Sequence, residues 1–272
     1  MSGVIVALIE HPESALGTLA AARNLATLMG GARINVLAVR MPPEAMIMPT
    51  EEVLTKHRAA EFRSHERERV RALHAVFEPW AAAARAPKVT TEWVDVEGLA
   101  DLLVGEWGRR SDFVVISRLS RHAHTPARLA IQAALFDTDR PVLVVPRGRL
   151  TPFGERVAIA WRNDKRTERS VLAVLRLLPK AKQVHVLAGM RAGESAPALP
   201  EILAEHDIDA VLHILPIGTG VFGETLLHTA HAISADLMVM GAYTHSTWRA
   251  LILGGVTRYV LAHTDLPVLM RH

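Results

Sequence analysis

The stretch "ADLMVMG", residues 235–241, decides the fold. It is a short, uncharged apolar run bounded by an acid and a glycine. A run of this kind reads as a strand buried on both faces rather than on one. It also has a twin, "SDFVVIS" at 111–117. A second pair follows the first: "DTDRPVLVVPR" at 137–147 and "HTDLPVLMRH" at 263–272. The opening strand "VIVALI" from Val4 has its counterpart in "RVAIAW" at 156–161. The chain is therefore a duplication, and each half must be read as one folding unit.

Within the first half, the pattern predicts strands near 3–9, 33–39, 89–95, 112–117 and 141–145, with helices near 13–29, 50–84, 98–109 and 126–137. The second half predicts strands near 156–161, 183–188, 209–215, 236–241 and 267–271, with helices near 165–178, 198–206, 221–234 and 247–263. Continuous Val/Ile/Leu runs alternating with amphipathic segments indicate parallel strands covered by helices on both faces. With right-handed crossovers, the expectation is an α/β fold of two tandem doubly wound, five-stranded parallel sheets. The Pro/Gly-rich "PRGRLTPFGE" at 146–155 separates domains expected at 1–148 and 154–272. The closing strands "RPVLVV" and "LPVLM" should lie at sheet edges, where apolar strands invite pairing. The two halves are therefore expected to form an intrachain pseudo-twofold pair. A homodimer of the whole chain is left open.

Composition narrows the function. Of 272 residues, 22% are charged and 50% hydrophobic, which suits a globular protein with ample core. There is no cysteine, which excludes disulfides, thiolate metal sites and cysteine nucleophiles. The net charge is only +3, and basic residues alternate with acids, as in "EFRSHERERVRAL". That pattern describes a solvated helix, so no nucleic-acid partner is expected. No run is long and apolar enough for a membrane span, and the N-terminus lacks the basic region of a signal peptide. The expected location is the cytoplasm. The pairs His228/His231 and His122/His124 lack a third ligand at a metal spacing, so no metal site is expected. No Gly-x-Ser-x-Gly elbow and no Walker A sequence is present. Glu13, Asp164 and Glu168 read as acids at helix starts, favoured by the dipole. No catalytic residue is assigned.

The candidate site lies in "VMGAYTHSTWRALILGGVT", residues 239–257. In an open parallel sheet, ligands bind outside the carboxyl ends of the strands. Gly241 stands at such an end, and the following helix start offers unpaired N–H groups to an anion. The stretch 241–257 resembles the nucleotide loop of the universal stress protein (UspA-like) family. That loop has Gly-x-x-Gly, nine residues, then Gly-Ser or Gly-Thr. Gly241-Ala242-Tyr243-Thr244 takes the first part, and Gly254-Gly255-Val256-Thr257 the last. Two departures stand out: Thr244 replaces the second glycine, and Gly255 the residue after the third. Trp161 also occupies the strand end where the family's nucleotide binders place an aspartate. In the first half, "SRLSRHAHTPARLAIQAAL" has no glycine, so that half resembles a degenerate copy.

The resemblance implies a tandem universal stress protein with the fold of the adenine nucleotide alpha hydrolase-like proteins. It implies a regulatory role in a stress response and an ATP or other adenine-nucleotide site, with Mg²⁺, in the second half. Gly241, Thr244, Gly254, Gly255, Val256 and Thr257 would meet phosphate and ribose, and Trp161 and Ala188 would border the base. Met240 and His245 flank the glycines and complete the candidate set. Two alternatives stand beside this one: an interaction module that no longer binds nucleotide, and a weak nucleotide hydrolase. "GTGVFGE" at 218–224 reads as a strand-to-helix turn lining the same cleft.

Overall fold

The computed structural model describes residues 3–46, 55–83, 87–119, 125–148, 151–242 and 255–272. The chain divides into two compact units, Met1–Arg140 and Pro141–His272.

The first unit runs β1 (Gly3–Leu8), α1 (Pro12–Leu28), β2 (Ala32–Arg40), a 3₁₀ turn (Pro43–Met46), α2 (Lys56–Ala83), β3 (Val89–Glu97), α3 (Ala100–Arg109), β4 (Phe113–Ser117) and α4 (Thr125–Phe136). Its strands are parallel in the order β3-β2-β1-β4. Strand order reverses at β1, which lies between β2 and β4. α1 packs on α2, and α3 on α4. Helices before and after the reversal cover opposite faces because each crossover is right-handed. Ile5, Val6, Ile34, Val36, Val114 and Val115 are fully buried between them.

The second unit runs β5 (Val142–Val145), β6 (Arg156–Trp161), α5 (Lys165–Val174), β7 (Gln183–Met190), α6 (Glu201–Glu205), β8 (Val211–Pro216), α7 (Phe222–Ala232), β9 (Leu237–Gly241), α8 (Gly255–His263) and β10 (Val268–Arg271). The order is β5-β10-β9-β6-β7-β8. β6 to β10 are mutually parallel. β5 joins antiparallel, with Val144 opposite Val268 and Val142 opposite Met270. This ladder groups β5 with the second unit, so the compact units divide ahead of the Pro/Gly-rich 146–155 stretch.

The duplication extends to the hydrogen bonds. Asp112 precedes β4, donates its N–H to the Val4 carbonyl at 2.7 Å and accepts the Val4 N–H on Oδ2 at 2.7 Å. Asp236 precedes β9 and does the same with Arg156, at 2.9 and 3.1 Å. It also accepts the N–H groups of Gly154 and Glu155. Each aspartate thus fixes the register of the first strand of its half against its neighbour. The paired "TDRPVL" and "TDLPVL" segments behave alike: Thr138 Oγ1 accepts the Arg140 N–H, and Thr264 Oγ1 the Leu266 N–H. These side chains supply the turn that delivers the chain into β5 and β10.

Candidate functional site

In the second unit the strand order reverses between β9 and β7, with β6 at the switch. A cleft of about 1050 Å³ opens there, outside the carboxyl ends of β6, β7 and β9. Trp161, Ala188, Met240, Gly255, Val256 and Thr257 all line it. Gly241 closes β9 at its foot and is buried. Thr244, His245 and Gly254 lie outside the described residues.

The strand register sets the floor. Trp161 is level with Ala188 on β7, and Ala188 with Ile214 on β8. Ala160 is level with Met240, so Trp161 and Gly241 come next to one another on β6 and β9. The half-buried indole therefore stands in a row between a glycine and an alanine.

Two features suit a polar ligand at the α8 end. A Cβ built on Gly255 would meet none of the described residues within 4 Å. Thr257 is 1% exposed, yet its Oγ1 has no hydrogen-bond partner among the described residues. Burying an unpaired hydroxyl costs about 1–3 kcal/mol. A ligand oxygen at this point would remove that cost. These residues thus fit an anionic or hydroxylated group.

Asp164 sits where β6 passes into α5. Its Oδ1 accepts the Thr167 N–H at 2.9 Å, as a helix cap does. Its Oδ2 accepts from Arg162. Asp164 is thereby a helix-start acid, and Glu168 lies in the first turn after it.

Several lining residues were not legible as site residues. Arg162 and Asn163 line the cleft beside Trp161, and the segment from Arg191 to Ile202 forms much of its wall. In the sequence that segment is only a short Gly/Pro-rich connection. The available signal was comparative: it stands where the first half has its long helix. Arg191 closes this segment's first turn, donating its N–H to Glu194 Oε2 at 2.8 Å and Nη1 to Oε1 at 3.3 Å. The backbone hydrogen bond, more than the guanidinium, holds the Glu194 carboxyl below its usual range. Ile217 and Phe222, from the segment containing "GTGVFGE", also line the cleft. Gly189 lies beneath them, and a Cβ there would come within 2.7 Å of the tips of both side chains, so either would have to shift.

The matching strand ends of the first unit are bridged by a side-chain network. The counterpart of Trp161 is Ile9, 1% exposed. Above it, Arg69 of α2 reaches across the strand ends. Its Nη1 donates to the Glu10 carbonyl at 2.9 Å and its Nη2 to the Val39 carbonyl. Its Nε and Nη2 also hold Glu66, at 2.9 Å each, and Glu66 accepts the Met41 N–H at 2.9 Å. Burial pushes the Glu66 carboxyl up, but Arg69 and the Met41 amide together hold it below its usual value. Burial also raises Glu10, and the charge of Arg69 only partly offsets this.

Among the described residues no cluster of three or more potential metal ligands occurs. His228 and His231 are exposed, and His231 pairs with Asp265 at 2.6 Å. His122 and His124 lie outside the described residues. No described helix is long and apolar enough to cross a membrane.

The sequence profile of the Universal stress protein family matches residues 215–272. No curated protein matches the chain. Among solved structures, a universal stress protein from Archaeoglobus fulgidus is 16% identical, with a TM-score of 0.69 over 100% of this chain and 96% of its own. A Pseudomonas aeruginosa structure described as a universal stress protein is 15% identical, with a TM-score of 0.59 over 99% and 93%. The cytoplasmic domain of a prokaryotic cation chloride cotransporter is 11% identical, with a TM-score of 0.52 over 99% and 94%. At these identities the likeness is one of fold.

Proposed function

We propose that this chain belongs to the universal stress protein family, whose profile matches residues 215–272, and is a regulatory binding protein. Its second half takes an adenine nucleotide, with Mg²⁺ as counter-ion, and its first half takes none. The reading includes a cytoplasmic role in a stress response, exerted through nucleotide occupancy or contact with a protein partner.

One observation carries the proposal. Thr257, whose buried hydroxyl has no hydrogen-bond partner among the described residues, and Gly255 line the same cleft as Trp161 and Ala188. A nucleotide has the matching parts: oxygens for α8 and a flat ring for the strand ends. In the first unit, Arg69 and Glu66 instead bridge the ends of β1 and β2. Mass spectrometry of the purified protein under native conditions tests the reading. A co-purified or added adenine nucleotide bound to the intact chain is the expected result. A chain that stays bare in excess MgATP would favour the alternative of an interaction module without nucleotide.

A further inference from the structure

Among the described residues β8 pairs only with β7, so the N–H and C=O groups on its outer side have no strand opposite them. We infer that two copies of the chain meet at this edge, β8 of one pairing antiparallel with β8 of the other about His213.

β8 reads Val211-Leu212-His213-Ile214-Leu215-Pro216 and holds no charged residue. Val211 is 55% exposed and Ile214 42%. Edge strands are ordinarily guarded by charges, and β3, the edge strand of the first unit, is guarded in this way. It exposes Glu92, Asp95 and Glu97, and Arg40 pairs with Asp95 at 2.6 Å and with Glu97 at 3.5 Å. A second copy laid on β3 would set acids near acids, whereas one laid on β8 brings no like charges together. The single polar side chain of β8 does not guard its edge. His213 Nε2 lies 3.0 Å from Nδ1 of His185, so the ring is tied to β7 of its own sheet.

The order of the residues favours a second copy over a foreign strand. The strand is apolar on both sides of His213. On an antiparallel ladder with a twofold axis at His213, Leu212 of one copy stands opposite Ile214 of the other, and Val211 opposite Leu215. Every apolar side chain then meets an apolar side chain on the same face of the sheet. The same patch serves on both copies, as a twofold interface requires. Pro216 has no N–H to donate, so the ladder ends at Leu215. A stable, specific interface buries about 1,200–2,000 Å². A ladder this short covers less, so the dimer is weak and reversible, with a Kd of about 10 µM or above.

Sedimentation velocity of the full chain from about 1 to 300 µM tests this. The mass should rise from 29.8 kDa towards twice that value as concentration increases. Val211 and Ile214 do not line the cleft, so substitutions there leave the nucleotide site intact. Ile214→Lys and Val211→Lys should each weaken association about tenfold or more, because a charge would face an apolar side chain of the other copy. Leu212→Glu should do the same. An equimolar mixture of the Ile214→Lys and Leu212→Glu chains should associate again, since lysine and glutamate then stand opposite one another. The inference falls if the parent stays at 29.8 kDa throughout, or if Ile214→Lys associates as the parent does. A mixture that remains monomeric would overturn the pairing about His213. None of these outcomes bears on whether nucleotide binds.

Discussion

Replacing Arg69 by methionine should destabilise the first unit by about 3 kcal/mol. The substitution keeps the apolar stem and removes the guanidinium. Glu66 is 7% exposed and would lose both of its bonds from Arg69, keeping only the Met41 amide. Breaking a buried pair from one side costs about 3–5 kcal/mol. The carbonyls of Glu10 and Val39 would lose their donors too, at about 1 kcal/mol each. These losses share one network and do not add. Because Arg69 is 19% exposed in its side chain, water reaches part of it, which favours the lower end of the range. The double variant Glu66→Gln/Arg69→Met should recover part of the loss.

The assay is guanidinium unfolding followed by tryptophan fluorescence, since Trp80 packs against Phe77 of the same helix and Trp93 lies on β3. The pH dependence has a fixed sign. The folded-state value of Glu66 is below the ordinary 4.5, so its stabilisation is present above 4.5 and is lost as pH falls through the depressed value. Without Arg69 that advantage disappears, so the gap between parent and variant should narrow below about pH 4.5. A loss under 1 kcal/mol at neutral pH, or a gap independent of pH, would refute the reasoning.

Asp236→Ala removes the acceptor for three backbone N–H groups and should cost about 2–3 kcal/mol, seen as early exchange of the β6 amides. Thr257→Val should do two opposite things: stabilise the ligand-free protein by up to about 1 kcal/mol in thermal unfolding, and weaken MgATP binding. Burial, then the neighbouring His213 and Arg156, lower the His185 value from 6.5. A lowered histidine keeps the folded state short of protons, so stability should fall as pH drops below about 6.5, and His185→Gln should flatten that slope in denaturation between pH 7.5 and 5.5.

Strand order was readable because each half repeats the same devices at the same spacing. Asp112 and Asp236, and Thr138 and Thr264, fall at matching positions and make matching bonds. Local chemistry of this kind is written in a few adjacent residues. The bridge across the strand ends of the first half was not readable in that way. In α2, Ala59, Glu66, Val70, Leu73, Phe77 and Trp80 form the buried stripe. Glu66 occupies an apolar position of that stripe, which is a visible sign of an inward ion pair. It was masked by the surrounding run of Arg and Glu. The wall from Arg191 to Ile202 was hidden for a different reason: its contribution depends on the absence of a helix, which no residue in it announces. Gly241 and Gly255 were legible as turn residues at the end of the sheet where the cleft lies. Arg162, Asn163 and Phe222 came to light only through their position.

The stoichiometry of MgATP binding tests the central claim most directly. Titration of the intact chain at protein concentrations near 100 µM, where an affinity of that order corresponds to about −5.5 kcal/mol, should give one nucleotide per chain. Two per chain would contradict the proposal that the first half, bridged by Arg69 and Glu66, takes none, and an absence of binding would contradict the site at Trp161, Gly255 and Thr257.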